Sequence, residues 1–194
     1  MEIHAETERL ILRRFTDQDV DLLVELDSDP DVMFYLNAGT PTPRAEVADD
    51  VLPAFLRHYR RWPGYGFWAI IRRSDGEFLG WVHLRPEPES PEDEPELGYR
   101  LRRSAWGQGY AAEASRAVID RAFADFGARR VVASTMAVHG ASRRVMDKAG
   151  LRLARTFRAD WPVRIPGDEH GDVEYAITSE EWQAAHSAAD SGDQ

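Results

Sequence analysis

The sequence contains no cysteine, which excludes disulfide bonds, thiolate metal ligands and a cysteine nucleophile. It also has no apolar run close to the roughly 18 residues that a membrane-spanning helix needs. The start, Met1 to Glu6, has neither a basic stretch nor an apolar core, so it does not resemble a signal peptide. We therefore expect a cytoplasmic protein that has no membrane partner.

Positive charge is the scarcer sign, with 24 Lys and Arg residues against 34 Asp and Glu and a net charge of −10. Nucleic-acid affinity comes largely from basic side chains that neutralise phosphates, so we expect no nucleic-acid partner. An acidic protein weakly favours a cationic substrate such as an amine. The length of 194 residues suits one core, and we expect a single domain over 1–187 followed by a disordered tail over 188–194.

Hydrophobic periodicity predicts a mixed α/β protein with paired strands in the first half and alternating strands and helices in the second. The predicted strands are 9–14, 67–71, 78–84, 96–101, 131–138, 151–158 and 172–177. The predicted helices follow Thr16, span 43–59, 111–126 and 142–149, and begin again at Ser179. Pro53 should disturb the second helix. The segment 86–95, rich in proline and acidic residues, is interpreted as a solvated loop.

The stretch from Trp106 to Ala111 reads Trp-Gly-Gln-Gly-Tyr-Ala and lies between a predicted strand and a predicted helix. Glycines let the backbone approach a ligand closely, and the unpaired N–H groups of a helix start form an anion site. The sequence has no Gly-Lys-Ser/Thr of a P-loop and lacks the third glycine of a dinucleotide fingerprint. The spacing alone leaves two interpretations open: a phosphate site, or merely a tight turn.

The same stretch resembles the acyl-CoA signature of the GNAT acetyltransferase superfamily, Gln/Arg-x-x-Gly-x-Gly/Ala, although Trp106 departs from its first position. The form Trp-Gly-x-Gly-Tyr-Ala is usual in the branch similar to the RimJ/RimL ribosomal-protein N-acetyltransferases. Similarity to that branch extends to Thr7-Glu8-Arg9-Leu10, to Glu96-Leu97-Gly98-Tyr99 and to Lys148-Ala149-Gly150-Leu151.

The resemblance implies a GNAT-type fold: a central mixed, mostly antiparallel twisted sheet of about seven strands with helices on both faces. It implies an N-acetyltransferase with acetyl-CoA as co-substrate and no metal. The acetyl group would pass directly to a primary amine, on a small molecule or a protein N-terminus. Homodimers are common in this branch. The implied cofactor contacts are the main chain of Leu101, Arg102 and Arg103 for pantetheine and that of Gly107, Gln108, Gly109, Tyr110 and Ala111 for the diphosphate.

The family usually carries Asn-x-x-Ser before a short helix, and the matching positions here run from His139 to Ser142. The resemblance makes both Ser142 and His139 candidates for cofactor contact and catalysis. His139, in place of Asn, favours the departing thiolate if it is protonated, or else is a neutral stand-in or a loop residue that faces water. Many members place an acidic Tyr seven positions after the Asn, but Met146 stands there, so no acid is assigned.

Attack by an amine requires a base for its proton, and Glu96 is the first candidate because it opens the strand that leads to the glycine turn. The alternative is a surface carboxylate that continues the acidic run 92–94. His83 and His170 are the second choices, and His83 could equally be a residue of the sheet core.

By resemblance, the loop between the last two strands lines the acceptor pocket. Asp160, Trp161 and His170 are the candidate substrate-binding residues there. Trp62, Tyr65 and Phe67 could supply its apolar side, although aromatic residues at such positions are more often core.

Two rival functions remain at the level of sequence. A catalytically silent acyl-CoA sensor would explain the departures at His139 and Met146, and a nucleotide-binding protein could use the same glycine turn.

Overall fold

A computed structural model describes residues 2–87 and 90–191, so Pro88 and Glu89 of the loop predicted over 86–95 lie outside the described residues. The strands are β1 (Ile3–Glu6), β2 (Leu10–Arg14), β3 (Gly66–Arg72), β4 (Phe78–Arg85), β5 (Glu96–Leu101), β6 (Arg130–Met136), β7 (Arg152–Phe157) and β8 (Asp172–Thr178). The helices are α1 (Val20–Asp27), α2 (Pro30–Asn37), α3 (Arg44–Glu46), α4 (Leu52–Arg61), α5 (Tyr110–Asp125), α6 (Gly140–Lys148) and α7 (Ser179–Ser191).

The strands form one sheet of eight in the order β1-β2-β3-β4-β5-β6-β8-β7. Neighbouring strands are antiparallel except β5 and β6, which are parallel. The predicted mixed, mostly antiparallel sheet is confirmed, but with one strand more than the seven predicted. The additional strand is β1, which the sequence did not indicate because it is short and its outermost residues, Ile3 and Glu6, are exposed.

Helices cover both faces of the sheet and define two hydrophobic clusters. On one face, α5 and α6 pack through residues such as Val118 and Met146 against Trp68 and Val82. On the other face, α1 and α4 pack against the ring of Trp81. Alternation along each strand divides its side chains between these two layers.

Helix α2 was not predicted, because a proline such as Pro30 more often indicates the end of a helix than its start. Proline is well tolerated at the first helical position, and Pro30 occupies it. The Asp29 carboxylate caps the helix by accepting a hydrogen bond from the Asp31 N–H at 2.9 Å. This cap places Tyr35 of α2 near the site described below.

The predicted disturbance of the helix at Pro53 is confirmed as an irregular turn just before this residue. A wide π-helical turn, Val47–Val51, separates α3 from α4, and Pro53 lies in the first turn of α4. Proline has no N–H for the usual intrahelical bond, which favours a locally widened helix before it.

At the end of the chain, α7 continues to Ser191, into the segment 188–194 for which the sequence predicts a disordered tail. Residues 192–194 lie outside the described residues. Within the part of the chain that the structure describes, no helix is both long enough and apolar enough to cross a bilayer.

Candidate active site

Strands β5 and β6 meet at one end and separate toward the other. Glu96 opposite Val132 is the single register pair between them in the described residues. The Val132 N–H donates to the Pro95 carbonyl at 3.1 Å beside this pair. From there on, β5 has a strand partner on its β4 side only, which opens the middle of the sheet.

The opening exposes main-chain groups of β5. The Arg102 N–H donates to the Leu79 carbonyl of β4 at 2.8 Å, and hydrogen-bonding direction alternates along a strand. The amide edges of Tyr99 and Leu101 therefore face the opening. The Leu101 carbonyl accepts a hydrogen bond from the Trp106 indole N–H at 2.8 Å.

The three residues expected to hold pantetheine are thus placed differently from one another. Leu101 turns its main chain to the opening, whereas the Arg102 N–H is engaged by β4. Arg103 lies in a 3₁₀ turn after β5, and its guanidinium pairs with the carboxylate of Asp31 on α2.

The glycine turn leads directly into α5. Gly107 and Gly109 have φ values of +74° and +84°, a region that favours glycine. No side chain caps the helix, and the first N–H groups of a helix have no partner within it. The Gln108 side chain donates to the Ser104 carbonyl at 2.7 Å and thereby braces the turn. The turn, Gly107 to Ala111, presents the N–H groups and the helix dipole that suit an anion.

Arg9, from the connection between β1 and β2, contacts this turn and was not predicted as a site residue. Its guanidinium donates to the Gln108 carbonyl at 3.0 Å and lies 4.5 Å from the centroid of the Tyr110 ring. It also forms a 2.6 Å ion pair with Glu113, in the first turn of α5. Burial of Glu113 opposes its ionisation, but hydrogen bonds from Thr7 and Arg9 prevail and lower its pKa. The Thr7 to Leu10 pattern was the only sequence sign of this contact.

Ser142 lies in the first turn of α6, and its side chain is held from β5. The Tyr99 hydroxyl is 2.9 Å from both the Ser142 hydroxyl and the Ser142 carbonyl. Burial raises the pKa of Tyr99. Because β5 and α6 lie on either side of the opening, this contact crosses it. Met146, at the position of the missing acidic Tyr, is buried in the core.

His139 is the residue that precedes α6, and it stacks on Tyr35 of α2 with ring centroids 3.8 Å apart. Burial, with a smaller contribution from Arg144, lowers the pKa of His139 to about 4. The imidazole is therefore neutral at neutral pH. This environment favours the interpretation of His139 as a neutral stand-in over a cationic partner for a thiolate.

Glu96 lies at the point where the two strands meet, on the sheet face covered by α1 to α4, called here the acceptor face. Burial raises the pKa of Glu96 to about 7, and a hydrogen bond with Glu87 and the charge of Glu87 add to the effect. Arg85, with a nitrogen 3.8 Å from the Glu96 carboxylate, acts in the opposite direction. A carboxylate in this state differs from the solvated surface group that was the alternative. Its partner Glu87 comes from the loop after β4 and was not predicted.

His83 is also on the acceptor face, where its ring lies 4.9 Å from that of Phe67. Burial lowers its pKa well below the usual value, so the ring is neutral. The other two aromatic candidates lie elsewhere. Trp62 stacks on His58 at 5.0 Å, while Tyr65 packs against Phe126 in the core cluster of the opposite face.

The connection between β7 and β8 borders the far side of the opening, because a Cβ at Gly167 would lie 2.7 Å from the Val138 side chain. Trp161 is partly buried and its indole N–H donates to Asp172 at 3.2 Å. Asp160 and His170 are exposed. The structure thus brings Glu96, Ser142, His139 and the glycine turn around one opening, whereas Asp160 and His170 are exposed on the β7–β8 connection.

Comparison with known proteins agrees with this geometry. A family model described as an acetyltransferase (GNAT) domain matches residues 9–152. The chain is 37% identical over 182 residues to the FsC-acetyl coenzyme A-N(2)-transacetylase of Aspergillus fumigatus, which covers 91% of this chain and 76% of that protein. It is 29% identical over 184 residues to YnaD, an uncharacterized N-acetyltransferase of Bacillus subtilis, covering 93% of this chain and 99% of YnaD.

Solved structures with the same fold include a GNAT-family acetyltransferase from Bacillus anthracis, at 25% identity and a TM-score of 0.72, covering 93% of this chain and 99% of that one. The ribosomal-protein acetyltransferase RimL in complex with coenzyme A gives a TM-score of 0.75 at 22% identity, covering 91% of this chain and 98% of RimL. At that identity, the likeness to RimL concerns the fold alone.

Proposed function

Since the chain belongs to the GNAT acetyltransferase family and is an acetyltransferase, we propose that it moves an acetyl group from acetyl-CoA directly to a primary amine. The observation that carries this proposal is the opening between β5 and β6, with the α5 turn at one end and Glu96 at the other. The relative from Aspergillus fumigatus, named for acetyl transfer from coenzyme A to a nitrogen, supports the choice of an amine.

The residues present fit the co-substrate. A Cβ added at Gly107 would meet no heavy atom within 4 Å, so the space over the turn is open to a diphosphate. We assign the diphosphate to the N–H groups from Gly107 to Ala111, and the pantetheine arm to the amide edge of Tyr99 and the N–H of Leu101, whose carbonyl is already bonded to Trp106. A hydrogen-bond donor aimed at the thioester oxygen would stabilise the charge that develops there during transfer.

Glu96 is assigned the role of general base. A carboxyl with a pKa of about 7 is half-ionised near neutral pH and can accept a proton from an ammonium group or, through water, from the attacking amine. The amine nitrogen then forms the C–N bond, the C–S bond breaks, and the sulfur leaves as a thiolate. The Ser142 hydroxyl is assigned a hydrogen bond to that sulfur, with Tyr99 holding Ser142 in place. His139 would form part of the wall of the opening.

A release assay for free thiol, run with acetyl-CoA over a panel of amines and N-terminal peptides, tests the proposal. We expect at least one amine to release CoA in stoichiometric amounts with acetylated product. Calorimetry that detects binding of acetyl-CoA without any thiol release would support the silent sensor instead. Thermal stabilisation by ATP or NAD that exceeds stabilisation by CoA would support a nucleotide-binding protein.

A further inference from the structure

Two contacts cross the opening between β5 and β6. One is the hydrogen bond between Tyr99 of β5 and Ser142 of α6, whose hydroxyl oxygens are 2.9 Å apart. The other is the stack of Tyr35 on His139, with ring centroids 3.8 Å apart and ring planes inclined by only 13°. The proposed transfer assigns no bond-making step to either ring, so the stack needs a different explanation.

The stacked rings belong to opposite sides of the opening. Tyr35 lies on α2, and Asp31 of the same helix pairs with Arg103, shortly after the end of β5. His139 follows β6, and its N–H donates to the Met136 carbonyl at the end of that strand at 2.9 Å. The stack is therefore a contact between the two sides rather than packing within one of them.

The stack also lies close to the position assigned to the sulfur. His139 is the residue before α6, and Ser142 is in the first turn of that helix. Residues three apart along a helix lie on the same side, with Cβ atoms roughly 5–6 Å apart. Because the Ser142 hydroxyl is assigned to the thioester sulfur, the rings are within reach of an acyl chain attached to that sulfur.

The surface that the rings present is apolar and uncharged. Burial lowers the pKa of His139 to about 4, so its imidazole is neutral. Phe34 packs edge-on against Tyr35 with ring centroids 5.0 Å apart. Phe34 and Val138, which are the chain neighbours of the two rings, are both exposed beside the stack. Such a surface can border the hydrocarbon part of an acyl group.

A wall this close to the sulfur distinguishes acyl groups by their length. An acetyl group extends one methyl carbon beyond its carbonyl, whereas a butyryl group extends three carbons. Added methylenes are poorly accommodated in a packed site, because they force side chains off their preferred rotamers. One methylene changes the selectivity of a hydrophobic site by about 10- to 200-fold.

We propose that the stack of Tyr35 on His139 closes the acyl site and restricts the donor to short acyl-CoAs, with acetyl-CoA preferred. This inference rests on the proposed function and identifies what sets its donor. Tyr35 is the specificity-determining residue, because its ring reaches the site from the side opposite the segment that holds the sulfur. A longer chain would have to separate the two rings.

The test measures kcat/KM for acetyl-, propionyl-, butyryl- and hexanoyl-CoA with one amine that is active in the thiol-release assay. Mass spectrometry identifies the acylated amine, so that hydrolysis of the thioester is not counted. The decisive quantity is the ratio of the butyryl-CoA value to the acetyl-CoA value. Two additional methylenes should make this ratio about 0.01 or lower in the wild type.

Tyr35→Ala removes one face of the stack, and His139→Ala removes the other. We expect each to raise the ratio by about tenfold or more, because the added methylenes enter the vacated space. Tyr35→Phe keeps the ring and should keep the wild-type ratio. Leu36→Ala is the matched control, because Leu36 is exposed on the same helix and is not part of the stack. A general loosening of α2 would lower kcat/KM for both donors alike and leave the ratio unchanged.

Efficient use of butyryl-CoA by the wild type overturns the inference and leaves the proposed transfer to an amine intact. The same holds for an unchanged ratio in folded Tyr35→Ala and His139→Ala protein, or for an equal rise in Leu36→Ala. The absence of thiol release with every acyl-CoA and every amine overturns the proposed function itself.

Discussion

The guanidinium of Arg9 lies 2.6 Å from the carboxylate of Glu113, and the pair stands beside the glycine turn that leads into α5. Glu113 would otherwise place an uncompensated negative charge next to the proposed diphosphate site. Arg9, from the connection between β1 and β2, neutralises that charge and at the same time holds the Gln108 carbonyl of the turn. We therefore expect the ion pair to modulate the affinity of the proposed diphosphate site.

Removal of Arg9 alone should weaken CoA binding because the Glu113 charge then repels the diphosphate. We expect Arg9→Gln to raise the Kd for CoA about tenfold, equivalent to about 1.4 kcal/mol, measured by calorimetry. The double variant Arg9→Gln/Glu113→Gln should recover most of the affinity. Arg44→Gln, which breaks an exposed ion pair with Asp21 and changes the net charge equally, is the control. Equal losses in the single and double variants would contradict the electrostatic interpretation.

Gly109→Asp should abolish detectable CoA binding. The substitution places a Cβ where φ is +84° and the Arg9 guanidinium is 3.4 Å away, and it adds a negative charge at the anion site. Gly76→Asp is a matched control because Gly76 has a φ of +75° in the β3–β4 turn, with no heavy atom within 4 Å of its Cβ position. The melting temperatures of the two variants show the effect of backbone strain, and calorimetry measures the affinity of each variant for CoA. If folded Gly109→Asp protein binds CoA with an affinity within threefold of wild type, the diphosphate does not bind at this turn.

Glu96→Gln should lower kcat by about 100-fold or more, as expected for loss of a general base. The Kd for acetyl-CoA should stay unchanged because Glu96 lies at the opposite end of the opening from the glycine turn. Steady-state kinetics and calorimetry measure the two quantities. A variant that retains wild-type kcat would show that the amine proton leaves by another route.

The pH profile provides an independent test of the same group. Because the base must be deprotonated, kcat/KM should rise with pH through about 7, the pKa of Glu96. The neighbouring Glu87 raises that pKa, so Glu87→Gln should lower it and move the acid limb of the profile to lower pH. If the acid limb moves to higher pH or does not move, the profile does not report the ionisation of Glu96 next to Glu87.

His139→Asn should retain kcat within a few-fold of wild type. The imidazole has a pKa of about 4 and is neutral at the pH of the assay, so no positive charge is lost. Asn restores the residue that the family usually carries, although the stack on Tyr35 is removed. A large loss of kcat with unchanged binding of acetyl-CoA would instead identify His139 as a catalytic group.

The sequence predicted the parts of the site that depend on local chemistry. The glycine turn, the start of α5 and the strand that carries Glu96 follow from short patterns of glycine and apolar residues. Arg9 and Tyr35 were not predicted as site residues because each reaches the site from a distant segment. Glu87 is close to Glu96 in sequence, but its contact with Glu96 depends on the fold of the chain. The raised pKa of Glu96 likewise depends on Glu87, Arg85 and burial, none of which is visible in the run around residue 96.

The resemblance predicted main-chain contacts to pantetheine at the end of β5, but no periodicity could reveal the separation of β5 and β6. The resemblance named three consecutive residues as pantetheine contacts, but the structure does not make all three available to a ligand. Leu101 turns its main chain to the opening, but Arg102 is bonded to the neighbouring strand. The motif predicts the fold of this segment. Which residues are available to a ligand depends on which alternate residues of β5 bond to β4 and which face the opening.

The core cluster and the Tyr99–Ser142 contact join the two halves of the sheet, but within the described residues their strands pair at a single point, Glu96 opposite Val132. Such a point is a pivot, where relative rotation of the halves produces the least displacement. Leu101, five residues along β5, is roughly 17 Å from it. A small rotation would thus widen the pantetheine end by ångströms while Glu96 stays almost stationary. Binding of a long cofactor at the proposed pantetheine end would therefore displace Glu96 least among the residues of β5.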